Sequence, residues 1–252
     1  MTNKEKAITI INSFTTGNIK ILQSILTEDF IQHNPAYGTG RDAFTSLVEH
    51  LGKTTVENIR AYEDGEFVFL HSIYNFAESG KHVAFDIFRF ENGKIAEHWD
   101  NLAVLTEPNI SGHTQIDGTT EIKDIDKTKD NKALITKFSA DILKDGKMND
   151  VANYFDGDNC IEHNPNHGDG LSGLGAYFEE LAKSGIQMIY NKTHMVLGEG
   201  NFVLAVSEGT FGDVPTSYYD LFRIENNKIA EHWDIVETII LETERQNSNG
   251  KF

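Results

Sequence analysis

Cysteine and proline are both scarce in this chain of 252 residues. The one cysteine, Cys160, excludes an internal disulfide and a zinc site built from cysteines, and it agrees with a reducing compartment. We therefore expect a cytoplasmic protein. With four prolines and 39% hydrophobic residues, the composition indicates a folded globular protein and excludes a collagen-like or disordered chain.

Basic residues and long apolar runs are also few. Lys and Arg number 22 against 39 Asp and Glu, which gives a net charge of -17. Such a charge repels a phosphate backbone or an anionic lipid surface, so we expect neither nucleic acid nor a membrane as a partner. The first residues, MTNKEKAITIINSF, have the apolar spacing of an amphipathic helix and lack the continuous apolar core of a signal peptide.

An internal repeat is the strongest feature that the sequence does contain. Residues 31–35 read IQHNP and residues 161–165 read IEHNP, at an offset of 130. DIFRFENGKIAEHWD at 86–100 returns as DLFRIENNKIAEHWD at 220–234, with 12 of 15 positions identical at an offset of 134. This identity indicates a duplicated domain. The change of offset predicts an insertion in a surface loop of the second copy, within GDGLSGLGAYFEELAKSGIQM.

The duplication sets the expected domain organisation. A polar stretch rich in Thr, Asp and Gly, without hydrophobic periodicity, separates the two copies. We therefore predict a first domain over 1–107, a linker over 108–130 and a second domain over 131–252.

Both copies show helix signals first and strand signals last. The predicted helices are 4–15 and 41–51 in the first copy, and 130–144 and 173–183 in the second. The predicted strands of the first copy are 56–63, 67–76, 82–91 and 94–104. Strands joined by short turns form an antiparallel sheet, and the separate helices must cover one of its faces. Each copy is therefore predicted to be an α+β domain.

One hairpin predicts which side chains share a face. Asn92-Gly93 is a strong two-residue turn, because both residues tolerate positive φ, and Asn226-Asn227 is its weaker counterpart. If Glu91 pairs with Lys94, strict alternation puts six side chains on the more apolar face, which should meet the helices: Asp86, Phe88, Phe90, Ile95, Glu97 and Trp99. The other face then carries Arg89, Ala96, His98 and Asp100.

The predicted face brings Asp86 and Glu97 into apolar surroundings beside Trp99. Burial raises the pKa of a carboxyl group, and two such groups could divide acid and base roles near neutral pH. A structural alternative is that Glu97 pairs with a nearby basic side chain and Asp86 accepts backbone hydrogen bonds. In the second copy the same positions are Asp220, Glu231 and Trp233.

The HNP turn offers a second candidate group. Proline stiffens the turn, so His33, and His163 in the second copy, could serve as a general base or donor at a pocket mouth. Alternatively the ring nitrogens only fix the turn. His33, His98 and Asp100 are the residue types of a metal site, but the predicted faces separate Asp100 from the pocket, so we predict no metal and no other cofactor.

The QHNP turn, the helix that begins GRDAF and the segment VAFDIFRFENGKIAEHWD resemble the SnoaL-like polyketide cyclase family, within the nuclear transport factor 2-like superfamily. The resemblance covers nearly all of both copies. It implies two tandem cone-shaped domains, each a curved antiparallel sheet around N-terminal helices, with cofactor-free acid–base chemistry on small molecules. Related ketosteroid isomerases carry a carboxylate base near the HNP turn, where this chain has Asn34 and Asn164, so that base is not carried over.

Two hypotheses on function follow. The first is a cofactor-independent enzyme that removes a proton alpha to a carbonyl, for aldol-type cyclisation, isomerisation or dehydration, with a protonated Glu97 or Glu231 stabilising the enolate. The second is a non-catalytic ligand-binding or interaction protein of the same fold. Both expect a small apolar or aromatic carbonyl ligand. The candidate catalytic residues are His33, Asp86, Glu97, His163, Asp220 and Glu231, and the candidate substrate-binding residues are Asn34, Trp99, Asn164 and Trp233.

Two further expectations concern the pair of copies. Single domains of this superfamily commonly pair through their sheets, so we expect a pseudo-dimer within the chain. It would use the sheet faces that bear His98, Asp100, His232 and Asp234. We also expect unequal pockets, because Tyr62, His71 and Tyr74 stand approximately where the second copy has Leu197, Val206 and Gly209.

Overall fold

The computed structural model describes residues 1–51 and 53–252, which divide into two compact units. The first unit consists of Met1–Val104 and Ile239–Phe252, and the second of Leu105–Thr238. The second unit begins earlier and ends earlier than the second domain predicted from the sequence. Residues 108–130, expected as a linker, belong to the second unit, and the last residues of the chain belong to the first.

The first unit is an α+β domain, as predicted. Its elements are α1 (Asn3–Thr16), α2 (Ile19–Ile25), β1 (Leu26–Gln32), α3 (Arg41–His50), β2 (Thr55–Asp64), β3 (Phe67–Phe76), β4 (Gly80–Glu91) and β5 (Lys94–Val104). The sheet order is β1-β5-β4-β3-β2. The sequence pattern does not indicate β1, and β1 pairs in parallel with β5, so the sheet is not purely antiparallel as expected.

The second unit repeats this arrangement. Its elements are α4 (Thr128–Phe138), which continues as a π-helical segment (Ser139–Lys144), then β6 (Ile161–Glu162), α5 (Gly170–Lys183), β7 (Met188–Glu199), β8 (Phe202–Phe211), β9 (Val214–Glu225) and β10 (Lys228–Thr238). The sheet order is β6-β10-β9-β8-β7. Short 3-10 turns lie at Ile125–Lys127, Met148–Asn153 and, in the first unit, Glu242–Glu244. Helix α5 has 14 residues and α3 has 10, so the four extra residues lengthen a helix and not a surface loop.

The helices of each unit pack on one face of its sheet. A capping box between Thr2 and Glu5 starts α1, and its apolar stripe of Ala7, Ile10 and Ile11 is fully buried in the core. Helix α4 packs against the second sheet in the same way. Among the described helices, none combines the length and apolar character that crossing a membrane requires.

A β-bulge in β5 changes the predicted register. The Asn92-Gly93 turn forms with φ of 51° and 76°, and Glu91 pairs with Lys94 as predicted. Ala96 is then an extra residue, so that Arg89 pairs with Glu97. Further along, Phe88 pairs with His98, Ile87 with Trp99 and Asp86 with Asp100. Strand β10 has the same irregularity at Ala230 and pairs Asp220 with Asp234.

The extra residue reverses the predicted faces beyond the bulge, because side chains alternate with a period of two. His98 and Asp100 lie on the helix-facing side with Asp86, and Glu97 and Trp99 lie on the opposite side. The predicted placement was therefore wrong for these four residues of β5. The same correction applies in β10 to Glu231, His232, Trp233 and Asp234.

Gly209 in β8 occupies the position that Tyr74 has in β3. Tyr74 pairs with His82, and Gly209 pairs with Thr216, which lies 134 residues after His82, the offset of the repeat. A Cβ atom at Gly209 would lie 1.7 Å from the carbonyl oxygen of Ile189. The backbone of β7 therefore leaves no room for a side chain here.

We expect Gly209→Ala to destabilise the second unit by about 3 kcal/mol, because β7 would have to move away from β8. Gly175→Ala in α5 is the matched control: its Cβ meets no atom within 4 Å, and alanine is the better helix former by about 1 kcal/mol. Urea unfolding followed by tryptophan fluorescence measures both changes, with Trp99→Phe as the common background so that Trp233 reports on the second unit. Wild-type stability of Gly209→Ala would contradict the close approach of β7.

Candidate functional site

Each sheet carries two aspartates and a histidine on the side that faces the helices. In the first unit these are Asp86, His98 and Asp100, with 3%, 5% and 6% of their surface exposed. One ligand atom from each lies within 4.8 Å of the others, a spacing that a cation could bridge. The group exists because the bulge puts His98 and Asp100 on the face of Asp86.

Hydrogen bonds hold the first cluster in one orientation. His98 Nε2 lies 3.1 Å from Asp86 Oδ1, and the Tyr74 hydroxyl donates to Asp86 Oδ2 at 3.0 Å. Gln32 Oε1 accepts the backbone N–H of Asn34 at 2.9 Å, which settles the orientation of the Gln32 amide. The same oxygen lies 3.0 Å from His98 Nδ1, so Nδ1 carries a proton and donates it.

The second unit has Glu162 in place of Gln32. His232 Nδ1 lies 3.0 Å from both carboxylate oxygens of Glu162, and His232 Nε2 lies 3.3 Å from Asp220 Oδ1. Tyr190 donates its hydroxyl to the same Asp220 oxygen at 3.3 Å. Tyr190 belongs to β7 and pairs with Gly209, so it supplies from the neighbouring strand the hydroxyl that Tyr74 supplies in the first unit.

The two HNP asparagines position carboxylates. Asn34 Nδ2 donates to Asp100 Oδ2 at 2.9 Å, and Asn164 Nδ2 donates to both oxygens of Asp234 at 2.8 and 2.9 Å. Both asparagines were predicted to bind substrate. Asn164 lines the cavity of the second unit, whereas Asn34 is not among the described residues that line the cavity of the first.

Several side chains of the second cluster have pKa values that differ from those of the same groups in water. Burial lowers the pKa of His232, but the carboxylates of Glu162 and Asp220 more than compensate, and its pKa lies well above the usual 6.5. Burial raises the pKa of Glu162, but His232 brings it below its ordinary value. Burial raises the pKa of Asp234 to about 7, although His232 opposes the shift. In the first unit burial likewise raises the pKa of Asp86. At neutral pH Glu162 and His232 thus form an ion pair beside Asp234.

The cavities above the two clusters differ in volume. The first measures about 40 Å³, because Phe14 packs edge-on against Phe44 and Tyr74 with ring centroids 5.6 and 6.2 Å apart. The second measures about 450 Å³ and is lined at its polar end by Glu162, Asn164, His167, Tyr177, Tyr190, Asp220, His232 and Asp234. Tyr74 narrows the first cavity as the sequence indicated, whereas Tyr62 and His71 stack on Phe69 and Phe85 on the opposite face. Unequal use of the two sites stays a prediction.

The opposite face of each sheet holds the other predicted residues. His33 stacks on Trp99 at 4.4 Å between ring centroids, and Arg89 Nη2 lies 3.1 Å from Glu97 Oε1. This contact agrees with the alternative in which Glu97 pairs with a basic side chain. The other part of that alternative was wrong, because the described hydrogen bonds of Asp86 are with the side chains of His98 and Tyr74 and not with the backbone. His33 Nδ1 lies 3.1 Å from the carbonyl oxygen of Gly250, and burial lowers its pKa. Of the predicted residues, His33, Glu97 and Trp99 do not line the described cavity of the first unit.

In the second unit the corresponding histidine also stacks on the tryptophan, and the glutamate contacts both the histidine and an arginine. His163 stacks on Trp233 at 4.5 Å, and its Nε2 lies 2.9 Å from Glu231 Oε1. Arg223 Nε donates to Glu231 Oε2 at 2.6 Å. Burial raises the pKa of Glu231, but the hydrogen bonds from His163 and Arg223 bring it below the ordinary value. The expected protonated Glu231 in the pocket was therefore wrong.

One signal in the sequence could have located the missed residues. The residues of β5 that face the helices are Ile95, His98, Asp100 and Leu102. The first two are three positions apart, and each later one follows its predecessor by two positions. That interruption marks a bulge at Ala96. Tyr190 and Glu162 had no comparable signal, because they reach the cluster from other strands.

Residues 8–98 match the family model of the SnoaL-like domain. The matched residues all lie in the first unit, which over this segment is similar to the SnoaL-like domain. The second unit repeats its sequence blocks and strand order.

Several solved structures are similar to part of the chain. A nuclear transport factor 2-like protein of unknown function from Cytophaga hutchinsonii has 19% identity over 41% of this chain and 91% of its own, with a TM-score of 0.38. A putative polyketide cyclase from Streptomyces antibioticus has 15% identity over 40% and 92%, with a TM-score of 0.35. A putative polyketide cyclase from Bacillus cereus has 19% identity over 38% and 71%, with a TM-score of 0.34. A search of curated proteins gives no significant match.

Glu162→Gln should lower the pKa of His232, because it removes the carboxylate that favours the charged ring. An NMR pH titration of the histidine rings measures the change. His98 is the internal reference in the same spectra, since its Nδ1 already faces the amide of Gln32. An unchanged His232 titration would show that Glu162 does not set its charge.

Asp234→Asn should make the protein more stable relative to the wild type as pH rises. The pKa of Asp234 is about 7 in the folded state against 3.8 in the reference state, so the native state holds an extra proton between these values and loses stability as pH rises through them. The free energy of unfolding of Asp234→Asn, relative to that of the wild type, should increase between pH 4 and pH 8 by at most about 4 kcal/mol. Urea unfolding at both values measures it, and a difference independent of pH would refute the shift.

Proposed function

We propose that the second unit binds a small, largely apolar carbonyl compound and removes a proton alpha to the carbonyl without a cofactor. One observation carries the proposal. Asp220 is 2% exposed and lines a cavity of about 450 Å³, and its Oδ2 atom has no hydrogen-bond partner among the described residues. A buried carboxylate oxygen without a partner is costly unless a ligand meets it.

Asp220 is the general base in this proposal. His232 is protonated and directs its Nε2–H to Asp220 Oδ1, as does the hydroxyl of Tyr190. Both contacts are on one oxygen, so Oδ2 is left to accept the proton from the substrate carbon. A base placed in this way contributes rate by a factor of about 10² to 10⁴.

Tyr177 is the group that meets the substrate oxygen. It extends from α5 into the same cavity, and burial raises the pKa of its hydroxyl to about 12, so it remains a donor at any physiological pH. As the carbon–hydrogen bond breaks, its electron pair moves onto the carbonyl oxygen, and the Tyr177 hydroxyl stabilises the enolate. In an isomerisation the proton held by Asp220 returns to a different carbon of the enolate. In an aldol-type closure the enolate carbon attacks a second carbonyl, and the resulting alkoxide takes the proton from Asp220.

The walls of the cavity support an apolar ligand. Phe138, Leu174, Phe178 and Phe222 line the same cavity and offer apolar surface to a ligand. The first cavity, at about 40 Å³, has no room for such a compound. One reacting site per chain follows.

Asp220→Asn should reduce the activity by at least about 10²-fold, because an amide cannot accept the proton. The measurement is incorporation of solvent deuterium into a panel of aryl and alkyl ketones, followed by mass spectrometry. Asp86→Asn is the matched control at the equivalent position of the first unit and should leave exchange unchanged. Exchange that survives Asp220→Asn, or that falls equally in Asp86→Asn, would contradict the assignment.

The second candidate is a binding protein that does no chemistry. The ion pair and the tyrosine would then only orient a metabolite. Native mass spectrometry of the purified chain separates the two: a stoichiometric ligand that shows no deuterium exchange favours binding alone. The pairing of the two domains within the chain and a cytoplasmic location stay predictions, tested by expressing the halves separately and by fractionating cells.

A further inference from the structure

We propose that the ligand of the second cavity is a cation, an apolar or aromatic body that carries a protonated amine, and that Asp234 binds the ammonium group. The inference rests on the proposed ligand site of the second unit and specifies its substrate class as amino-carbonyl compounds. Asp234 has no part in the proton transfer to Asp220, so its burial in the cavity requires a separate reason.

The charges around the cavity are not balanced. Glu162, Asp220 and Asp234 have 6%, 2% and 8% of their surface exposed. His232 is the cation that faces them, and it forms an ion pair with Glu162. None of the described residues that line the cavity is a lysine or an arginine. Asp220 and Asp234 pair directly across β9 and β10, and two facing carboxylates without a further cation repel each other.

The first unit shows what balances the equivalent carboxylate there. Lys251 is buried, and its Nζ lies 3.8 Å from Asp100 Oδ1 while donating to the carbonyl oxygen of Asp100 at 2.7 Å. Asp100 is the counterpart of Asp234 at the repeat offset of 134. In the first unit the chain itself thus places an ammonium group, that of Lys251, beside Asp100. In the second unit the cavity beside Asp234 has room for an ammonium group from a ligand.

The surroundings of Asp234 also suit an organic cation. Asp220 Oδ2 has no described hydrogen-bond partner and is left for the reacting carbon, whereas Asp234 accepts from Asn164 and its carboxylate oxygens can accept further N–H bonds from an ammonium group. Tyr177 and Phe178 on α5 offer aromatic faces that attract a cation and pack an apolar body. A metal ion would not use these walls, whereas an amine on an aromatic skeleton would.

Binding of a cation should be coupled to the proton on Asp234. The pKa of Asp234 is about 7, so the carboxyl group is mostly protonated at pH 6 and mostly ionised at pH 8. The titratable groups that face it are Glu162 from β6, Tyr177 from α5, Tyr190 from β7, Asp220 and Tyr218 from β9, and His232 from β10. An aliphatic amine stays protonated throughout this range. Its affinity should therefore rise about tenfold from pH 6 to pH 8, with release of a proton.

Three probes on one skeleton test the proposal with the full chain: 4-phenylbutan-2-amine, 4-phenylbutan-2-one and 4-phenylbutan-2-ol. Isothermal titration calorimetry at pH 6 and pH 8, in two buffers of different ionisation enthalpy, gives affinity and protons released. We expect the amine to bind at least tenfold more tightly than the ketone or the alcohol at pH 8.

Variants assign the effect to Asp234. Asp234→Asn should abolish the preference for the amine and its pH dependence, and Asp100→Asn in the first unit should leave both unchanged. Tyr177→Phe should keep the preference for the amine while losing deuterium exchange of the ketone, which separates this inference from the proposed reaction. Equal affinity of the three probes, no binding of the amine, or a preference that survives in folded Asp234→Asn would overturn it. Exchange of the ketone would then still support the proposed function.

Discussion

One extra residue in the last strand of each sheet decides which side chains meet the helices. Ala96 in β5 and Ala230 in β10 interrupt the pairing with the preceding strand. Beyond the interruption, the histidine and the second aspartate of the EHWD segment face the core, and the glutamate and tryptophan face away. The polar cluster, its hydrogen bonds and the cavity beside it all depend on this shift. Without it, Trp99 would occupy the space now held by polar side chains.

The repeat makes the two units a natural comparison of one polar cluster in two surroundings. The first has an amide at Gln32, a tyrosine from β3 and a ring cluster that closes the cavity to about 40 Å³. The second has a carboxylate at Glu162, a tyrosine from β7 and a cavity of about 450 Å³. A duplicated domain can keep its polar network as part of a closed core in one copy and as a ligand site in the other.

Electrostatics links these local exchanges to chemistry. The carboxylates of Glu162 and Asp220 raise the pKa of His232, and the ion pair between Glu162 and His232 lies beside two further acids in a largely apolar space. In such a medium a charge acts strongly on its neighbours because water does not screen it. The second unit therefore combines groups of different proton affinity at one end of a cavity, while the first unit, with a neutral amide, holds a less charged version of the same cluster.

The sequence by itself determined the duplication, the α+β class, the approximate positions of the predicted helices and strands and the Asn-Gly hairpin, because these depend on periodicity and turn chemistry over a few neighbouring residues. It also indicated Asp86 and Asp220 as buried carboxylates. The tertiary structure decided their partners. The bulge at Ala96, the parallel pairing of β1, and the replacement of Tyr74 by Tyr190 across Gly209 arise from contacts between strands distant in the chain. Local pattern carries no information on such contacts, so the face of Glu97 and Trp99 and the size of each cavity followed only from packing.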